Sequence, residues 1–222
     1  MKEGKALVIF SGGQDSSTCL FWAKNNFESV EAISFYYGQR HASELKAANE
    51  IASLAEVPLN VMELPLLNSL TENSLTRKDI PIEKAGGSSV PNTLVEGRNL
   101  LFLTYAAIYA KSRGIAHLVT GVSQTDYSGY PDCRNEFIVS ANATLNLAMD
   151  FNFKIHTPLM FLSKSQTWMM AEELGVLEII KEKTVTCYEG ITGEGCRRCP
   201  SCLLRSKGLN EYYTIKANER KI

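Results

Sequence analysis

Residues 6–24 read ALVIFSGGQDSSTCLFWAK, and the architecture of the chain can be worked out from that segment. The run at 6–10 is β-branched and aromatic, the pattern of a buried strand, and it breaks at Ser11-Gly12-Gly13. From 15 to 24 the spacing predicts a helix that buries Cys19, Leu20 and either Trp22 or Ala23. A first strand that hands over to a first helix through glycines is where an open parallel sheet binds ligands. Gly12 and Gly13 let backbone N–H groups approach a ligand closely, Ser11, Ser16 and Ser17 add hydroxyl donors, and the helix N-terminus adds partial positive charge. Those are the requirements for gripping a polyphosphate. No Lys follows the glycines as in a Walker loop, and the third glycine of a dinucleotide fingerprint is missing. The competing reading is a tight Gly-Gly turn with Asp15 as the helix N-cap.

Outward from this unit the same alternation returns. Residues 30–37 read as a strand, and 43–55 as a helix with Leu45, Ala48, Ile51, Ala52 and Ala55 on one face. A third strand is expected at 61–64, the most apolar helix at 100–113 ended by Gly114, and a strand at 117–120 before a turn at Gly121. Helices follow at 135–150 and at 164–174, the latter ended by Gly175, and a last one from 203. Such alternation predicts the α/β class, an open, mostly parallel sheet with helices on both faces. Two stretches break it: 65–97, with three prolines and the pair Gly86-Gly87, and the polar, aromatic stretch 122–134. Long irregular loops in a compact α/β domain are usually functional.

The chain has 222 residues, 45% hydrophobic, enough to bury one domain with a small appendage. Lys plus Arg number 23 against 24 for Asp plus Glu, so the net charge of -1 gives no global field for a nucleic acid, and no nucleic-acid partner is expected. The longest apolar run, 100–110, falls short of the ~20 residues of a membrane span, and the run at 6–10 is too short for a secretory core. A soluble cytoplasmic protein with no membrane partner is expected. Of six cysteines, Cys187, Cys196, Cys199 and Cys202 fall within sixteen residues as C-x8-C-x2-C-x2-C. Two residues between cysteines let one turn aim both thiolates at one centre, so the cluster reads as a closed, structural zinc site, with an iron–sulfur cluster as the rival. Cys19 reads as core, and Cys133 has no partner at metal spacing. The expected division is a nucleotide-binding α/β domain at 1–183 and a zinc-binding tail with a terminal helix at 184–222.

The string SGGQDSS resembles the pyrophosphate loop of N-type ATP pyrophosphatases, which activate a carboxylate or carbonyl oxygen as an adenylate. With YGQRH at 37–41, Arg98-Asn99, GVSQTDYSGYPDCR at 121–134, HTPL at 156–159 and the tail TCYEG to CPSCLLR at 186–205, the chain resembles the 7-cyano-7-deazaguanine synthase family nearly end to end. The resemblance implies an adenine nucleotide alpha hydrolase-like fold. It also implies an ATP-dependent carbon–nitrogen ligase that turns 7-carboxy-7-deazaguanine and ammonia into the nitrile through an amide, in queuosine biosynthesis. One structural zinc per chain on the four tail cysteines, Mg²⁺ with ATP and a homodimer are implied as well. Two departures stand out: Val95-Glu96-Gly97-Arg98-Asn99 where the family usually reads V-P-x-R-N, and Arg197 where it usually has Gly.

For ATP the resemblance designates Phe10, Ser11, Gly12, Gly13, Gln14, Asp15, Ser16, Ser17, Thr18, Cys19 and Leu20, with Asp15, Arg98 and Lys164 as the catalytic set. Arg98, Arg134 and Arg40 suit a bidentate grip on carboxylate or phosphate, although arginines are more often solvated surface charges. Asp126 or Asp132 can accept the donors of a guanine-like ring, and Tyr127 or Tyr130 can stack on its face. The alternative for that loop is a turn with aromatic anchors, and for Lys164 an exposed residue at a helix start. A tRNA-modifying thiolase of the same superfamily and a non-catalytic nucleotide-sensing zinc protein are the rival functions.

Overall fold

A computed structural model describes residues 2–38, 43–64, 94–125 and 130–219. Its sheet has five parallel strands, β1 (Glu3–Ile9), β2 (Phe27–Tyr36), β3 (Leu59–Glu63), β4 (His117–Val119) and β5 (Lys154–His156), in the order β3-β2-β1-β4-β5. The order reverses between β1 and β4, so a crevice opens beyond their carboxyl ends. That is where Ser11 to Gly13 lead into α1 (Gln14–Asn26).

Both faces of the sheet are buried, which explains why β1 reads as a continuous apolar run. Leu7 points to one side, with α3 (Arg98–Lys111) and α4 (Asn135–Met149), in a core that includes Leu103, Leu118 and Ile138. Ala6 and Val8 point to the other, against α1 and α2 (Ser43–Leu54), through Cys19, Leu20, Ala48 and Ile51. On this side α5 (Lys164–Glu173), α6 (Leu177–Lys183) and α7 (Pro200–Glu219) form a further cluster around Trp168, Ile180 and Tyr212. Among the described residues no helix is long and apolar enough to cross a membrane.

Among the described residues the expected elements are present with shifted ends, and three others are added, β5, α6 and a 3-10 turn at Pro131–Cys133. In α1 Ala23 is buried and Trp22 only partly so; in α2 Ala47 joins the buried face while Leu45 is only partly buried. β5 has three residues, KIH, and owes its existence to pairing with β4 rather than to composition. The seven-residue α6 is likewise too short to announce itself by period.

Two glycines let backbones meet at the switch point. Gly12 has φ +77°, and a Cβ on it would lie 2.6 Å from the Ala48 nitrogen of α2. A Cβ on Gly121, just past β4, would lie 2.9 Å from the Ser16 nitrogen in the first turn of α1.

At the sheet edge the imidazoles of His117 and His156 meet at 3.0 Å (Nδ1 to Nε2) and pack against Phe27. Burial, with help from Lys154 and His117, pushes His156 down to about 4. Its unfolded value is near 6.5, so between those values the unfolded chain binds the extra proton and stability falls as pH falls. From pH 7 to pH 5 the loss from this ring is expected to be about 1–2 kcal/mol, discounted for partial solvation. Urea unfolding of wild type and His156→Gln at both pH values checks it; equal pH dependence in the two proteins would refute the assignment.

Candidate functional site

Gly13 caps α1 in extended conformation and, lacking a side chain, satisfies none of the helix donors itself. Asp15 is therefore not the N-cap; it lies in the first turn and turns outward to Lys164, whose Nζ sits 2.9 Å from both carboxylate oxygens. The loop is braced from within: the Ser11 N–H donates to Ser16 Oγ at 3.2 Å, and the two serine hydroxyls are 3.0 Å apart. Gly12 serves contact with α2, whereas a Cβ on Gly13 would meet nothing closer than 3.4 Å. Of the stretch designated for ATP, Phe10, Ser17, Thr18, Cys19 and Leu20 face the core and shape the loop, while Ser11 is exposed and Gly13, Asp15 and Ser16 are half-buried. The Cys19 thiol is raised well above its ordinary range by burial, and further by Asp15, which makes it inert packing. Gln14 and Ser17 are buried, and among the described residues their side-chain polar atoms have no partner, so the loop fits a polar ligand that would supply one.

Lys164 opens α5 behind Ser163, which forms a capping box with Gln166. Its side chain is only 9% exposed and packs on Gly208 of α7, where a Cβ would come within 2.5 Å of it. This is not a solvated surface lysine. Behind the loop runs the tail: the Val185 N–H donates to the Gly12 carbonyl at 3.0 Å, and the Gln14 N–H donates to Thr186 Oγ1 at 3.3 Å. Arg205 stands behind the tail, held by Thr184 and Thr186; burial pulls it down to about 10, opposed by Asp15 and Cys202, so it stays charged at neutral pH. Sequence reasoning gave Arg205 no role, because its partners are remote in the chain.

Across the crevice, Arg98 begins α3 and its Nη1 approaches the Tyr37 hydroxyl at 3.4 Å. Burial works against its charge, but Tyr37, then Asp132 and Tyr130, hold it protonated beyond the usual arginine range. Burial likewise raises Tyr37. Asp132 is tied to the start of α3: its Oδ2 accepts from the Asn99 N–H at 3.0 Å, and Asn99 Nδ2 donates to the Asp132 carbonyl at 3.2 Å. Tyr130 is half-buried beside this group, and Arg134 is exposed at the start of α4. Arg40, Asp126 and Tyr127 lie outside the described residues. The Glu96 departure is accommodated by a turn in which the Arg98 N–H donates to the Val95 carbonyl at 3.1 Å and Gly97 takes φ +70°, a type II position that favours glycine.

The sulfurs of Cys187, Cys196, Cys199 and Cys202 all lie within 4.8 Å of one another. Backbone N–H groups point at them: Glu189 and Cys196 onto Cys187 at 3.3 and 3.4 Å, and Cys199 onto Cys196 at 3.3 Å. Burial acts to raise Cys196, but donors from Arg198 and Cys199 outweigh it and bring the thiol to about 7, while burial raises Cys199 and Cys202. A Cβ on Gly195 would fall 2.4 Å from Cys202 Sγ, so only glycine passes beside the sulfurs. Four converging thiols with N–H···S donors can hold one metal ion. Arg197 occupies the turn at φ +58°, the left-handed conformation that makes Gly the ordinary choice there.

The family described as "Queuosine biosynthesis protein QueC" matches residues 5–213. A protein of Clostridium novyi named 7-cyano-7-deazaguanine synthase is 58% identical over 209 residues, covering 94% of this chain and 95% of its own. One of the same name from Phocaeicola vulgatus is 54% identical over 222 residues, covering 100% of both. In three dimensions the chain is similar to a 4-thiouridine synthetase solved with RNA and bound ATP (TM-score 0.54, 19% identity, 98% of this chain and 53% of that one). It is also similar to an NMN synthetase of Francisella tularensis (TM-score 0.51, 14% identity, 100% and 87%). These solved neighbours support the adenine nucleotide alpha hydrolase-like fold.

The positive φ of Arg197 carries a measurable consequence. Its ion pair with Glu194 joins two exposed side chains and adds little, so Arg197→Gly is expected to stabilise the protein by about 1 kcal/mol. Chemical unfolding of the metal-loaded protein measures this, and a loss of stability would show that the turn is not strained.

Proposed function

The chain belongs to the queuosine biosynthesis QueC family, and from that premise we propose that it is an ATP-dependent ligase that converts 7-carboxy-7-deazaguanine and ammonia into 7-cyano-7-deazaguanine. The observation that carries the ATP part is the open N-terminus of α1 at the sheet's switch point, flanked by Asp15 and Lys164. A carboxylate is a poor electrophile. Transfer of an adenylyl group from ATP turns one carboxylate oxygen into a leaving group and releases pyrophosphate; ammonia adds to the carbon, and AMP departs to leave an amide. Transfer of a second adenylyl group from another ATP to the amide oxygen, again with release of pyrophosphate, lets that oxygen depart as AMP while the nitrogen gives up its two protons, which leaves the nitrile.

In this reading Ser11, Gly13 and Ser16 present donors to the phosphates, and Lys164 supplies a fixed positive charge where negative charge accumulates. Asp15 would hold Mg²⁺, which neutralises phosphate charge when bound with ATP. Arg98, half-buried at the head of α3, is the cation for the substrate carboxylate, with Arg134 and Arg40 as further anion ligands. Asp126 or Asp132 accepts from the base, and Tyr130 stacks on it. One Asp132 oxygen already serves Asn99, which leaves the other for a ligand. The tail cysteines bind one zinc per chain, and because four thiolates leave no open position the ion is structural. The assembly is a homodimer in the cytoplasm, without a nucleic-acid or membrane partner.

Incubation with ATP, ammonium and 7-carboxy-7-deazaguanine should yield the nitrile by mass spectrometry; recovery of the carboxylate alone would sink the reading. Lys164→Met should cut turnover about a hundredfold or more while the protein remains folded by circular dichroism, and normal turnover would remove Lys164 from the machinery. Metal analysis of anaerobically purified protein should give one zinc per chain. Iron with acid-labile sulfide would decide for a cluster instead.

A further inference from the structure

Arg205 is 4% exposed and belongs to neither site, yet it touches the supports of both. Its Nη1 donates to Thr184 Oγ1 at 2.8 Å and to Thr186 Oγ1 at 3.0 Å, and its Nη2 to the carbonyls of Ile180 and Lys181 at 2.8 and 2.9 Å. Those bonds use every N–H on the two terminal nitrogens. The two carbonyls end α6, where the helix dipole favours a cation, and the guanidinium lies 5.0 Å from the Trp168 ring. Thr186 Oγ1 spends its other acceptor position on the Gln14 N–H, the first donor of α1. Next to Thr186 in the chain is Cys187, and one turn before Arg205 on α7 is Cys202. A metal bound by those thiols would therefore fix the backbone on both sides of the Arg205–Thr186 contact.

A buried guanidinium is costly, and a hydrophobic side chain of similar volume often serves stability as well or better. Four directed bonds to remote partners instead specify one geometry, and that geometry ends at the phosphate loop. We propose that Arg205 is a positioning residue for the loop, acting through Thr186 so that the metal-bearing tail sets nucleotide affinity. This rests on the reading that the loop binds ATP.

The test is calorimetric titration of the zinc-loaded protein with ATP and, separately, with 7-carboxy-7-deazaguanine, with zinc content measured on each sample. Thr186→Val removes the hydroxyl while keeping the shape, and should weaken ATP about three- to ten-fold, the worth of one hydrogen bond. Affinity for the deazaguanine and the zinc content should stay unchanged. Thr186→Ser should restore ATP affinity, and Arg205→Lys should behave like Thr186→Val, because one ammonium cannot span four acceptors. Should Arg205→Lys fail to fold, the Val and Ser pair decides alone. Wild-type ATP affinity in Thr186→Val, or equal losses for both ligands, overturns the inference while leaving the ATP reading intact. A wild type that binds no ATP overturns both.

Discussion

The end of α1 must be held rigid without being covered. Its cap residue, Gly13, has no side chain, so its position is set from every other direction: by α2 against Gly12, by Gly121 just past β4 against Ser16, and by the tail at Gly12 and, through the Thr186 hydroxyl, at Gln14. Each contact is backbone to backbone, or backbone to a short hydroxyl, with little room to relax. A side chain added at either Gly12 or Gly121 would push a main chain rather than a flexible tip. The sheet order, the long reach of the tail and the burial of Arg205 all fit this one requirement, since each brings a distant segment to the same helix end.

Much of this was legible in the sequence where local chemistry decides. The apolar run before Ser11, the break at the glycines and the spacing of Cys187, Cys196, Cys199 and Cys202 depend on neighbours a few residues away, and those features appear where expected. What stayed hidden depends on remote partners. β5 is a strand because β4 lies beside it, Asp132 bonds to the start of α3 from beyond β4, and Lys164 finds Asp15 across 149 residues. Gly12 shows the subtler case: glycine was expected there for the approach of a ligand, and the nearest obstacle to a side chain is α2.

The two departures from the family pattern both fall at turns whose geometry depends on a positive φ. Glu96-Gly97 replaces a proline-bearing turn, and a positive φ at Gly97 carries the type II turn that brings Arg98 to the head of α3. At Arg197 the reverse happens, and a residue with a Cβ takes the left-handed conformation in the turn between Cys196 and Cys199.

Charge follows the same logic of local arrangement. With a net charge of -1 the chain has no long-range field to draw in an anionic substrate, and exposed charges are screened within about 10 Å at ordinary salt. Yet Lys164 and Arg205 are withdrawn from solvent and Arg98 is half-buried, and each is held by named partners, Asp15, the end of α6 with two threonines, and Tyr37. Cations fixed in this way need little reorganisation when an anion arrives, and under the proposed function Lys164 and Arg98 would meet a ligand seated in the crevice, while Arg205 only braces the tail. Under the proposed function, binding at such a site is governed by where the anionic groups of a ligand fall relative to the loop.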